Sequence, residues 1–378
     1  MKLLLINYEY PPVGGGAATA TWHMARALVQ QGHEVTVVTT RYQNLLGLTE
    51  EAGVQVYRCR ALRSSENRSS LLEQCSFIIA ALWVLPRLLK QYLIENVIVY
   101  FSIPCGPLGL WCRLFRGCPY VISLRGGDVP GIEKNIRWLH YLLTPVRRLV
   151  LRYSHAVVAN SEGLKQQAQR VDPMSVQVIP NGVDTDFFYP QPHDNPVFQF
   201  LFVGRFQTQK NLFFLLEQLN QLKQTVILKF CCHLVGDGPL KAELQKQAQQ
   251  LGLTSILTWH GWLPKEQLRN IYQQSDCILN FSLYEGMPNV LLEAMACGLP
   301  VVASRVMGNE SVVIEGKTGY LINLQASDNL QTRLQQLLEN PQQAKQLGAN
   351  GRHWVEQSFS WAQVAQSYVH LFNGKQHV

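Results

Sequence analysis

Short apolar runs recur along this chain, each followed by a loop and then by a segment with helical spacing. Lys2–Asn7 opens the pattern, a Gly-rich loop follows, and a helix is predicted from about Ala17 to Gln31. Gly32 stands where a helix-terminating glycine belongs. Val35–Thr39, Val54–Tyr57, Val97–Phe101, Tyr120–Leu124, Ala156–Ala159 and Val176–Ile179 read as further strands. A stretch from Asn181 to Pro196, rich in Asn, Asp and Pro, then interrupts the rhythm as a linker would. The alternation restarts with Phe198–Val203, Ile227–Val235, Ile256–Trp259, Cys277–Asn280, Val301–Ala303 and Tyr320–Ile322. Continuous apolar strands between helices predict parallel sheets covered on both faces, hence an α/β class. The expectation is two Rossmann-like domains facing a central cleft, over 1–185 and 186–357. Residues 358–378, an amphipathic segment with Phe359, Trp361, Tyr368 and Phe372, are expected to cross back to the first domain.

Composition narrows the class. With 47% apolar and 16% charged residues, the chain has too much core material and too little charge for disorder. Only Leu3–Ile6 is apolar before Asn7, short of the roughly 7–15 residues of a secretory signal. The longest apolar run, Phe77 to Pro86, is ten residues where a membrane span needs about 20, so no span is expected. The nine cysteines contain no CxxC pair. Cys231, Cys232 and His233 sit in a predicted strand, where neighbours point to opposite faces, so they read as buried thiols rather than metal ligands. That usage fits a reducing cytoplasm. Of the net charge of +7, residues 1–187 hold +6, with Arg137, Arg147, Arg148 and Arg152 close together. A basic face suits an anionic membrane or a phosphorylated substrate, and no nucleic-acid motif accompanies it.

Ligands of open parallel sheets bind at the carboxyl ends of strands, so candidate chemistry is sought in those loops. The first loop carries Gly14, Gly15 and Gly16 before a helix, a place where backbone N–H groups can approach an anion. It departs from the dinucleotide fingerprint, because Thr19 stands where the third glycine would be, and a plain Gly-rich turn remains an alternative. Arg125, Gly126, Gly127 and Asp128 follow another strand, and a surface ion pair in a turn explains them equally well. Gly204, Arg205 and Lys210 flank a helix start, and two cations there suit a diphosphate better than solvated loop charges. The segment from Tyr284 to Pro300 carries the most information. Glu285 falls in the loop and Glu293 in a helix that is apolar almost all round and starts near Pro288. A carboxylate buried there needs a cation or ligand hydroxyls, and the N–H groups of Asn289 and Val290 would be free for a phosphate. A core salt bridge for Glu293 with a solvated Glu285 is the other reading.

The spacing Glu285-x7-Glu293 within EGMPNVLLEAMACGLPVV resembles the signature of the family 4 glycosyltransferases, retaining and metal-independent enzymes of the GT-B fold. GRFQTQKN at 204–211, GDGPL at 236–240, HGWL at 260–263, ANSEGLK at 159–165 and IPNGVDTDFF at 179–188 extend the likeness over most of the chain. The resemblance implies that Arg205 and Lys210 neutralise the donor diphosphate as it leaves. Glu293 would accept the ribose hydroxyls, and Glu285 with the backbone of Gly286, Met287, Asn289 and Val290 would hold donor sugar and phosphate. The His260–Leu263 segment, with Gly261 and Trp262, would line the base pocket, and Gly15 and Gly16 would approach the phosphate or the acceptor. Arg125 stands where many members have His, which leaves contact with sugar or phosphate open to it, with Asp128 orienting it or meeting the acceptor hydroxyl. The expected donor is UDP- or GDP-linked, with no other cofactor and no metal. The expected acceptor is a glycan or lipid-linked glycan of cell-surface polysaccharide or glycolipid synthesis. A weak membrane contact is expected to rest on the four clustered arginines, at the inner face. Competing readings are a nucleotide-sugar epimerase or sugar phosphorylase, an NAD-dependent enzyme, which Thr19 argues against, and an inert binding protein.

Overall fold

The computed structural model describes residues 1–66, 69–131, 137–326 and 329–373, with backbone alone over 137–140. Two compact units emerge, Met1–Gly182 with Trp361–Val378, and Val183–Ser360.

The first unit runs β1 (Lys2–Ile6), α1 (Gly16–Gln30), β2 (Glu34–Thr40), β3 (Gly47–Glu51), β4 (Val54–Cys59), α2 (Leu71–Gln91) and β5 (Asn96–Tyr100). It continues with α3 (Gly106–Arg116), β6 (Tyr120–Leu124), α4 (Arg137–Arg152), β7 (Ala156–Ala159), α5 (Glu162–Val171) and β8 (Gln177–Val178). The sheet order is β3-β4-β2-β1-β5-β6-β7-β8, parallel except for β3. Central strands are fully covered, as their unbroken apolar runs require: Leu5 sits between Val37 and Ile98, all three without exposed surface. β3 was not expected, because GLTEE has no apolar rhythm; it forms an antiparallel edge through a tight turn at Ala52 and Gly53. The α2 helix is longer than its ten-residue apolar run foretold. With 21 residues it is long and apolar enough to cross a membrane by length and composition, yet Phe77, Ala81 and Leu85 pack it onto the sheet.

The second unit contains β9 (Phe198–Val203), α6 (Leu212–Thr225), β10 (Phe230–Val235), α7 (Lys241–Gln250), β11 (Leu257–Gly261), α8 (Lys265–Gln273) and β12 (Cys277–Asn280). Then come α9 (Asn289–Ala296), β13 (Val301–Ser304), α10 (Met307–Glu310), β14 (Gly319–Ile322), α11 (Leu330–Glu339) and α12 (Pro341–Ser358). All six strands are parallel, in the order β11-β10-β9-β12-β13-β14. Alternate residues feed two separate cores: Phe200, Phe202, Cys232 and Leu234 on one face, Leu201, Val203, Val235 and Ile278 on the other. Cys232 is fully buried while Cys231 is half-buried, the opposite orientation expected of strand neighbours.

The last helix, α13 (Trp361–Asn373), packs on α1 of the first unit. Tyr368 and Ser123 hydroxyls lie 2.7 Å apart in the core, and Gln31 Nε2 donates to Ala362 O at 2.7 Å. A Cβ on Gly182 would come within 2.5 Å of the Trp361 ring, so the chain leaves the first unit against the helix that re-enters it. Tyr368→Phe should cost about 1–2 kcal/mol, since it strands the buried Ser123 hydroxyl without disturbing packing. Urea unfolding of the two proteins side by side measures it.

Candidate active site

In the second unit, the loops at the carboxyl edge are tied backbone to backbone. Gly204 N donates to Val235 O at 3.0 Å, Phe206 N to Asp237 O at 2.9 Å and Gly236 N to Gly261 O at 2.8 Å. A Cβ on Gly236 would lie 2.0 Å from Gly204 O, a separation that glycine alone permits. The chain then turns through Thr208–Lys210, and Asn211, in the left-handed conformation, opens α6. Leu283 N donates to Gln209 O, and Gln209 Nε2 to Tyr284 O, each at 2.8 Å, which joins this segment to the loop after β12. Lys210 and Glu285 meet as a result: Nζ donates to Oε1 at 2.5 Å, and the side chains are 15% and 8% exposed. Arg205, earlier on the same loop, is exposed and without a partner among the described residues.

Polar groups that the sequence did not single out hold Glu285 in place. The Ser282 hydroxyl lies 2.7 Å from Glu285 Oε1 and 2.6 Å from Asn280 Oδ1. Ser304 Oγ donates to Ser282 O at 2.5 Å, and Asn309 Nδ2 donates to Ser304 O at 2.9 Å. All four are buried polar residues, and Asn280 and Ser282 at the end of an apolar strand were the one available signal.

Glu293 lies on α9, where the Tyr272 hydroxyl donates to its Oε2 at 3.0 Å. Part of its surface stays open, but its carboxyl is crowded by protein atoms. That crowding pushes its pKa up to about 7, against the Tyr272 hydrogen bond and the charge of Lys265. Tyr272 had no signal in the sequence. Of two expectations about this helix, the start near Pro288 holds and the free Asn289 N–H does not. Pro288 precedes its first residue, Asn289, and the Asn289 N–H donates to Met287 O at 3.0 Å instead of standing free. Gly286 is exposed, and Met287 and Val290 are half-buried. Gly261 ends β11 with φ +69, followed by exposed Trp262 and half-buried Leu263. His260 Nε2 lies 2.9 Å from His233 Nδ1, and burial lowers the pKa of both rings.

In the first unit, Gly14 adopts φ +97, and its N–H donates to Glu66 O at 2.7 Å. Cβ positions on Gly15 and Gly16 would meet nothing within 4 Å, so the loop is open at the start of α1. Its Gly15 N–H, however, serves Glu9, a carboxylate not anticipated here, whose pKa burial raises against the charge of Arg63. Asp128 is buried, Oδ1 accepting from Arg125 N at 2.9 Å and Gly126 N at 3.2 Å, and Oδ2 from Ser102 N at 2.6 Å. With both oxygens accepting from backbone, Asp128 holds the loop that carries Arg125, in line with the orienting role that was one of its two expectations. Arg125 stacks over Tyr100 with its guanidinium carbon 4.7 Å from the ring centroid, and Nη1 donates to Asn181 Oδ1 at 2.6 Å. The arginine cluster is partly structural too. Arg147 Nε donates to Asp172 Oδ2 at 2.9 Å inside the fold and Arg148 Nε to Oδ1 at 2.8 Å, while the Arg137 side chain lies outside the described residues.

Known proteins share this architecture. The family described as Glycosyl transferases group 1 matches residues 184–354, and Glycosyltransferase Family 4 matches residues 14–187. The alpha-maltose-1-phosphate synthase of Mycolicibacterium smegmatis is 30% identical over 71% of this chain and 76% of its own. The GDP-mannose-dependent alpha-(1-6)-phosphatidylinositol monomannoside mannosyltransferase of the same organism is 26% identical over 99% and 98%. Among solved structures, Anabaena Alr3699/HepE in complex with UDP superposes with a TM-score of 0.75 at 19% identity, covering 99% of this chain and 100% of that one. The fold is thus GT-B.

The raised pKa of Glu293 makes a stability prediction. From about 4.5 to about 7 the folded carboxyl keeps a proton that the unfolded chain has released, so stability falls as pH rises through that window. Above it, the ionised group costs about 3 kcal/mol. Ligand-free Glu293→Gln should therefore melt several degrees above wild type at pH 8 and close to it near pH 4.5. A variant melting lower at pH 8 would show that the carboxylate is held by a favourable partner.

Proposed function

This chain belongs to the family 4 glycosyltransferases, and on that premise we propose that it moves a hexose from a UDP- or GDP-linked sugar to a glycan or lipid-linked glycan, with retention and without a metal. The observation that carries the proposal is the Lys210–Glu285 pair with unpartnered Arg205 beside it, at the carboxyl edge of a parallel sheet. The chemistry asks for charge stabilisation of a departing diphosphate. Arg205 supplies a free guanidinium fork, and Lys210, already oriented by Glu285, adds a fixed ammonium, so these two provide the charge that a metal would otherwise supply. Glu293 accepts the ribose hydroxyls, whose donated hydrogen bonds favour the ionised form that burial disfavours. Glu285 and the backbone from Gly286 to Val290 hold the donor sugar. Departure and attack on the same face, across a short-lived ion pair, give retention with no protein nucleophile.

The relatives support a nucleotide-sugar donor: one is GDP-mannose-dependent by name, and a structural neighbour holds UDP. Arg125, stacked and bonded within the first unit, acts by fixing the Asn181 segment and presenting its remaining N–H groups toward sugar or phosphate. Gly15 and Gly16 give the acceptor or phosphate close access to the backbone. We place the enzyme in the cytoplasm, at the inner face of a membrane, in synthesis of cell-surface polysaccharide or glycolipid.

A thermal-shift panel of UDP, GDP, ADP, dTDP and NAD without added metal tests the donor class. A ligand at 100 times its dissociation constant adds about 2.7 kcal/mol, and stabilisation by UDP or GDP is expected; a shift with NAD alone would sink the proposal. The two cations separate in a second experiment. Arg205→Ala should leave the melting temperature unchanged and lower kcat about 100–1,000-fold. Lys210→Ala should lower kcat and also destabilise by about 3 kcal/mol, because Glu285 is left charged and nearly buried.

A further inference from the structure

The outer layer of the first unit carries a surface that the transfer reaction does not explain. Helices α2, α3 and α4 connect parallel strands, and they lie side by side on one face of the sheet. Only 28% of the most apolar 18-residue stretch of α2 is buried, because its inner stripe of Phe77, Ala81 and Leu85 meets the sheet while a second stripe faces outward. That outer stripe holds Leu72, Ile79 and Trp83, the last 83% exposed. The neighbouring helices expose large apolar side chains too, Phe115 on α3 and Tyr141 and Leu142 on α4, Tyr141 being 86% exposed. Large apolar side chains gathered this way are uncommon on a free surface.

Charge identifies what covers them. The three helices contain eight Lys or Arg and one acidic residue, with Arg147 and Arg148 engaged by Asp172 from outside them. The single acid, Glu73, is turned inward, where it accepts from Ser70 N and Ser64 N, each at 2.7 Å. Each helix returns from the carboxyl edge of the sheet to its amino edge, so Arg87 and Lys90, Arg116, and Arg152 gather at that edge, all exposed. Apolar residues spread along three parallel helices, with cations at one end and no outward acid on the helices themselves, Glu95 following α2, match an anionic lipid surface better than a protein partner.

We propose that the outer face of α2, α3 and α4 lies on an anionic bilayer, with Trp83, Ile79 and Leu72 entering the headgroup–acyl boundary and the cations holding lipid headgroups. This deepens the reading of a membrane-borne acceptor and rests on it. Of the four clustered arginines it keeps Arg152 and adds Arg87, Lys90 and Arg116, since Arg147 is consumed inside the fold. The same unit's Gly-rich loop opens at the carboxyl edge, where α2 begins, so a lipid-linked acceptor would reach it from the bilayer surface.

The test is co-sedimentation of the full chain with phosphatidylglycerol vesicles and with phosphatidylcholine vesicles, at low and high salt. Binding to the anionic vesicles at low salt, weakened by salt, is expected. Arg87→Gln with Arg116→Gln and Arg152→Gln should weaken it about a hundredfold, at roughly fivefold per charge. Ile79→Ser with Trp83→Ser should weaken it at least about tenfold. No binding at low salt, or variants that bind like wild type, overturns the proposal. So does a dimer in sedimentation velocity that Trp83→Ser abolishes while vesicles capture nothing, which gives the face to a second copy. UDP and GDP binding, with melting temperature, is measured on every preparation. Lost vesicle binding with intact nucleotide binding removes the membrane face alone, and lost nucleotide binding in wild type removes the transfer reading instead.

Discussion

Everything at the carboxyl edge of the second sheet depends on a backbone approach that a single methyl group would forbid. Gly236 faces the Gly204 carbonyl at a distance where a Cβ would overlap the oxygen. Because they can close, Gly204, Phe206 and Gly236 satisfy their N–H groups on neighbouring loops, as buried backbone must. Phe206 is thereby drawn fully into the core, and the chain on either side of it is fixed: Arg205 outward, Lys210 across to the next loop. The approach therefore anchors the loop from which both cations, five positions apart, project at the carboxyl edge of the sheet.

The two glutamates of this edge receive opposite treatment, and the contrast separates stability from function. Glu285 has a cation at hydrogen-bond distance and a hydroxyl beside it, so its charge is compensated before any ligand arrives. Glu293 has one neutral donor, Tyr272, and a lysine acting at a distance, too little to offset its burial. A core under selection for stability alone would place an apolar residue there, as its neighbours Leu292 and Ala294 already are. An under-compensated carboxylate is the arrangement expected where the missing donors come from a ligand.

Sequence legibility followed physical range. Both parallel sheets were visible because strands buried on two faces must be apolar without interruption, and β3 was invisible because an edge strand need not be. Arg205, Lys210, Glu285 and Glu293 could be picked out because strand-end placement and spacing are local properties. The fates of Asp128 and Arg147 could not. Asp128 is claimed by Ser102, and Arg147 by Asp172, partners 26 and 25 positions away that only the assembled sheet brings close. Glu9 was missed for a related reason: the N–H that it takes, on Gly15, belongs to a loop whose glycines looked like an open anion site.

The α2 helix shows where pattern reading reaches its limit. An apolar helix of its length is compatible with a core, a span or a surface in contact with lipid, and periodicity alone does not choose among them. The structure narrows that choice in two steps. Phe77, Ala81 and Leu85, each without exposed surface, bind the helix to the sheet, and Ser70 with Glu73 caps its first turn, so it is an integral element of a folded layer. Its opposite stripe then stays exposed among the described residues, and the acids that would keep such a stripe soluble are missing from α3 and α4 as well. On the proposal made above, a helix held by one apolar face and left with another is covered a second time, and the positive charge of its neighbours suits an anionic cover.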